Sequence, residues 1–266
     1  MPHSTITEAK NPTETQEMHN PKTATVKRKK RPLRALLVTL IVLTVLGAAC
    51  CIGFLVYASD YYRAQDTALA VVTDSSNLTQ DGNLTILSPS VPSDTALIFY
   101  PGAKVEAIAY LPILQNIQQT CGITCILVEM PLNMAIFNVN AAADIIEAYP
   151  EITTWYIGGH SMGGGMASSF ASDHPELVEG LILLGAYVYG DYDPASALTI
   201  YGSFNDNLEE NIDYIENIVL IEGGNHAQFG NYGKQDGDPD ATISAQEQQD
   251  IAVAAIAEFI ETGSVG

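Results

Sequence analysis

The chain has 266 residues, with 11 Lys and Arg against 31 Asp and Glu and a formal net charge of −20. Eight of the basic residues precede position 35, so from residue 59 onward three basic residues face 28 acidic ones. Such a surface repels phosphate backbones and anionic headgroups, which excludes nucleic acid as a partner. The four cysteines form no paired Cys and His spacing, so no zinc site or other metal is expected.

Residues 1–34 are polar and then basic, ending in Lys27, Arg28, Lys29, Lys30, Arg31 and Arg34. Nothing there could bury a core, and a disordered cytoplasmic tail is expected. Residues 35–58 carry no charge, and as a helix they would span about 36 Å, enough for a bilayer core of about 30 Å. The basic block before them places the N-terminus in the cytoplasm and residues from about 59 outside. A cleavable signal ending at Val56-Tyr57-Ala58 competes with this reading, but an apolar run this long exceeds the usual secretory segment. A lipoprotein signal at Cys50 and a buried core helix fit less well. The apolar run continues past Cys50, and a core helix would not explain the basic flank.

Residues 59–84 read as a linker and residues 85–266 as one α/β domain. Asn77-Leu78-Thr79 and Asn83-Leu84-Thr85 match the glycan acceptor pattern. Strands are expected at Leu84–Leu87, Ala96–Tyr100, Ile123–Glu129, Thr153–Ile157, Leu181–Leu184, Leu198–Tyr201 and Ile218–Ile221. Helical stripes lie between them, at Ile108–Ile117, Ala141–Ala148 and Met162–Ser172, and the last at Ser244–Glu261. This alternation predicts a mostly parallel sheet covered by helices on both faces. Cys121 and Cys125 could be bridged or could be two packed thiols.

The strand at 153–157 runs into Gly159-His160-Ser161-Met162-Gly163, a G-x-S-x-G pattern. Small residues two positions either side let a serine sit on a tight strand-to-helix turn, and the helix N-terminus favours a developing oxyanion. Ser161 needs a base. His160 lies within the turn and is expected to point away, and His174 ends a helix beside Pro175. His226 follows the last apolar strand, at the edge where such sheets present their sites. An acid between the serine and the histidine in chain order is best supplied by Asp206, after the strand at 198–201, with Asp191 and Asp193 as rivals. Asp173 reads as a solvated helix residue. Backbone donors for an oxyanion are expected from Met162 and Ala103. Lys104, a rare cation, could attract an anionic substrate group, although pairing with Glu106 is the plainer expectation.

Phe99-Tyr100-Pro101-Gly102-Ala103-Lys104, Gly158 to Gly164, Tyr201 to Asp206, and Gly223-Gly224-Asn225-His226 together resemble the compact bacterial α/β-hydrolases grouped with dienelactone-hydrolase-like proteins. The resemblance covers about residues 85–262. It implies an α/β-hydrolase fold, a Ser161–Asp206–His226 triad and a mechanism without metal or cofactor. Dienelactone hydrolases use a cysteine where this chain has Ser161, so their substrate is not implied. The expectation is a membrane-anchored, extracytoplasmic serine esterase acting on a small ester or acyl substrate. An acyltransferase on cell-envelope components and a catalytically silent binding domain are the alternatives. Only 13 residues separate Leu184 from Leu198, which leaves little room for a lid.

Overall fold

The computed structural model describes residues 31–205 and 208–265. They form two compact units divided between Cys51 and Ile52. Helix α1 (Arg31–Ser59) runs through the division, and its stretch Leu33–Ser59 is long and apolar enough to cross a membrane.

The second unit is built on one eight-stranded sheet in the order β1-β2-β4-β3-β5-β6-β7-β8. The strands are β1 (Leu78–Asp81), β2 (Leu84–Leu87), β3 (Thr95–Tyr100), β4 (Thr124–Val128), β5 (Thr154–His160), β6 (Gly180–Leu184), β7 (Ala197–Gly202) and β8 (Ile218–Ile221). β3 to β8 are parallel to one another, and β1 and β2 join antiparallel at one end. The helices are α2 (Asp66–Asp74), α3 (Leu111–Cys121), α4 (Ala141–Ala148), α5 (Met162–Asp173) and α6 (Ala245–Thr262).

Alternation along the central strands builds two cores. Leu97 and Phe99 of β3, with Cys125 and Leu127 of β4, face α3 and α6. Ala96, Ile98 and Tyr100, with Ile126 and Val128, face α4 and α5. Each strand is therefore apolar on both faces, as a covered parallel sheet requires.

Two local features depart from expectation. β5 continues through Gly158, Gly159 and His160, because those residues keep pairing with Phe99 and Tyr100 on one side and with β6 on the other. The stretch 59–84 is not bare chain. α2 packs on α3, and Leu78–Asp81 pairs with β2 across a turn in which Gly82 takes φ 58°. β1 escaped notice because its side chains are half-buried or exposed and carry no apolar alternation. Further along, Tyr62 pairs with Val105, and Ala64 N–H donates to Glu106 Oε2 at 2.8 Å. Asn77 and Asn83 spend their side-chain amides on the carbonyls of Ser88 and Glu129. Cys121 and Cys125 are free thiols, and burial pushes the Cys121 pKa up to about 11.

Candidate active site

Ser161 sits between β5 and α5 with φ 54° and ψ −123°, a strained conformation for a residue with a side chain. Its N–H donates to Leu184 O at 3.0 Å and its carbonyl accepts from Gly165 N–H at 3.0 Å. Side chains are excluded on both sides. A methyl group at Gly159 would come within 2.6 Å of Tyr100 O, and one at Gly163 would run into the carbonyls of Tyr100 and Pro101. Glycine is therefore required where the helix leans on β3. Among the described residues, the N–H groups of Met162 and Ala103 make no hydrogen bond to a protein acceptor.

His226 follows β8, and its Nδ1 lies 2.5 Å from Asn205 Oδ1. The amide oxygen can only accept, so Nδ1 carries the proton and Nε2 keeps the lone pair that a general base needs. Asp206, the expected acid, lies outside the described residues. Asp238 holds the backbone of the histidine turn, accepting from His226 N–H at 3.1 Å and Ala227 N–H at 2.8 Å.

His160 does not point away from the base. Its ring centre is 4.4 Å from that of His226, and its Nε2 lies 3.0 Å from His226 O. A carbonyl forces Nε2 to be the donor, so Nδ1 accepts from Tyr110 O–H at 2.8 Å, and Tyr110 O accepts in turn from Gly102 N–H at 3.1 Å. One chain of hydrogen bonds thus ties the turn after β3 to the turn after β8, passing through His160, the residue before the serine. Burial holds the His160 pKa well below the usual imidazole range.

The sequence profile of the α/β-hydrolase family matches residues 96–250. The chain belongs to the α/β-hydrolase family. An esterase from the hyperthermophilic archaeon Pyrobaculum calidifontis is similar in fold, with a TM-score of 0.51 at 12% identity over 74% of this chain and 88% of that one. A carboxylesterase from Mesorhizobium loti gives a TM-score of 0.46 at 14% identity over 70% and 99% of the two chains. A serine hydrolase without a lid from Xanthomonas campestris gives 0.45 at 13% over 69% and 89%. No curated protein sequence matches the chain.

In this α/β-hydrolase two open cavities adjoin at Gly185 and Leu208. One, of about 280 Å³, is lined by Ser161, Met162, Met166, Ala186, Tyr187 and Tyr189. The other, of about 320 Å³, is lined by His226, Asn205 and the loop Gln235–Pro239. Gly185 and Leu208 border both, so serine and histidine stand on either side of one shared rim. Desolvation lowers the His226 pKa, and the Asp238 carboxylate opposes that shift.

Lys104 does not pair with Glu106. Its Nζ lies 4.0 Å above the Tyr57 ring, and its backbone takes φ 56°. Two residues escaped the sequence reading, Asn205 and Asp238. Asn205 was passed over because a carboxylate stands next to it. Asp238 follows His226 in the chain, whereas chain order points to an acid before the histidine, and only the acidic, glycine-bearing run Lys234–Asp240 marks it in the sequence.

Proposed function

We propose that the protein is a membrane-anchored carboxylic ester hydrolase whose catalytic domain lies outside the cytoplasmic membrane. The basic residues before α1 support a cytoplasmic N-terminus. Ser161 attacks the ester carbonyl while His226 takes its proton, and the N–H groups of Met162 and Ala103 receive the oxyanion. His226 then activates water to release the acid from the acyl-enzyme. The cavity beside Ser161, with its methionines and tyrosines, suits the acyl group.

The single observation behind this reading is the strained serine at a helix N-terminus, across one rim from an imidazole protonated on Nδ1. Two residues are candidates to orient that imidazole. Asn205 accepts its proton, and chain order favours Asp206, which would also stabilise the imidazolium by charge. Labelling with a fluorophosphonate probe tests the nucleophile, with Ser161→Ala expected to abolish labelling and to lower ester turnover at least about 10³-fold. Unlabelled folded protein would end the esterase reading. Comparing Asn205→Ala with Asp206→Ala identifies the orienting group as the one whose loss lowers kcat the more.

A further inference from the structure

The last two turns of α1, Ile52–Ser59, belong to the same compact unit as the hydrolase fold. Phe54 meets Phe137 edge to face with ring centres 5.8 Å apart. Phe137 lies on the loop after β4, where Met134 and Ala135 are buried while Ile136 and Phe137 are 53% and 50% exposed. The same loop carries Leu132, 43% exposed, and holds both Leu132 and Asn133 at φ near 55°. Bulky residues rarely adopt that conformation, and here it is kept by hydrogen bonds from Asn133 N–H to Met130 O and from Lys104 N–H to Asn133 O. An apolar loop is thus held outward beside the end of a helix fit to cross a membrane.

We propose that Leu132, Ile136 and Phe137, continuous with Phe54 and Tyr57, seat the catalytic domain on the lipid bilayer, so that the enzyme draws its ester from an amphiphile held there. This rests on the membrane-anchor and esterase readings above. Phe54 precedes the end of the span by five residues, or about 7.5 Å along the helix. A side chain packed at its level lies within the depth of about 5–10 Å reached by interfacial apolar faces.

Charge agrees with this placement. Of the three basic residues after the helix, Arg63 and Lys104 lie at this edge, stacked on Tyr61 and Tyr57. The strongly acidic remainder of the domain is repelled by anionic headgroups. The route to the nucleophile is short. Lys104 donates to the loop at Asn133, Gly102 lies two residues before Lys104, and Gly163 beside Ser161 packs on the carbonyl of Pro101. The expected oxyanion donor Ala103 therefore lies in the turn next to the seated loop.

The test uses the full-length chain reconstituted in phosphatidylcholine vesicles, with and without bromine on the acyl chains. The Ile136→Trp variant should lose fluorescence in the brominated vesicles, while Trp155, buried on β5, should not. Ile136→Asp with Phe137→Asp should lower hydrolysis of a long-chain ester embedded in the vesicles at least about tenfold relative to a short soluble ester. Both results are required. No bromine quenching in vesicles that carry the protein through flotation overturns the seat, as does a spectral shift independent of bromine, which would mean burial against a second copy. An unchanged ratio of the two esters also overturns the proposal. Failure of the chain to float with vesicles removes the anchor reading as well, and loss of the soluble-ester activity in the Ser161→Ala control separates the esterase reading from both.

Discussion

Tyr110 is fully buried and satisfies a backbone group and a side-chain group at once, Gly102 N–H and His160 Nδ1. Removing its hydroxyl leaves a donor and an acceptor without partners in a dry interior, which typically costs about 1–3 kcal/mol each. Tyr110→Phe is therefore expected to lower unfolding free energy by a few kcal/mol in a denaturant titration, and unchanged stability would show that water enters the site. A second prediction concerns Asp238, whose charge opposes the desolvation of His226. His226 must be neutral to act as base, so kcat/KM should fall as pH drops through its pKa, with a midpoint below the usual 6.5. Asp238→Asn removes the stabilising charge and should move that acid limb to still lower pH. A limb that stays in place would leave Asp238 with only its hydrogen bonds to the backbone of the turn.

At the level of elements, the turn from β5 into α5 concentrates the demands of the fold. The turn needs a positive φ at Ser161, no side chain at Gly159 or Gly163, and contact between α5 and the end of β3. Because the obstruction at Gly163 is backbone carbonyl and not a flexible side chain, Gly163→Ala cannot be relieved by a rotamer change. Overpacking of this kind typically costs about 1–3 kcal/mol, and any relaxation would move Ser161 from its place. The variant is expected to be less stable in thermal unfolding and to lose at least about tenfold in ester turnover. Wild-type values for both would show that α5 can lean away from β3 freely. The same pattern of glycines is what made the turn readable in advance. The hairpin of β1 and β2 was readable only in its second strand, since pairing with a neighbour, and not composition, makes Leu78–Asp81 a strand.

Across the whole molecule, a buried imidazole, His160, and a half-buried one, His226, lie with ring centres 4.4 Å apart and ring planes tilted by 42°. Both His160 and His226 have lowered pKa values, chiefly from desolvation. The unfolded chain binds protons on these rings near pH 6.5 while the folded chain resists them, so their contribution to stability is complete above that pH and declines as pH falls below it. Melting temperature should therefore drop on acidification from about pH 6.5, and His160→Asn should flatten that part of the curve. A curve of the same slope in the variant would assign the acid sensitivity to other groups.

From Leu84 onward the order of strands and helices was legible in the chain, as were the membrane-length apolar helix and the serine turn, because each depends on local periodicity or on residues within a few positions of one another; α2 and β1 were not. Nor were the partners of His226. Asn205 and Asp238 reach it from two loops and His160 from the end of β5, and their meeting depends on how β5, β7 and β8 line up in the sheet and on the course of the chain after His226. Sequence spacing contains no term for that. Chain order could point to a carboxylate at 206, but only the packed molecule brought an amide oxygen against Nδ1, and only packing set the apolar side chains of the loop after β4 beside the end of α1.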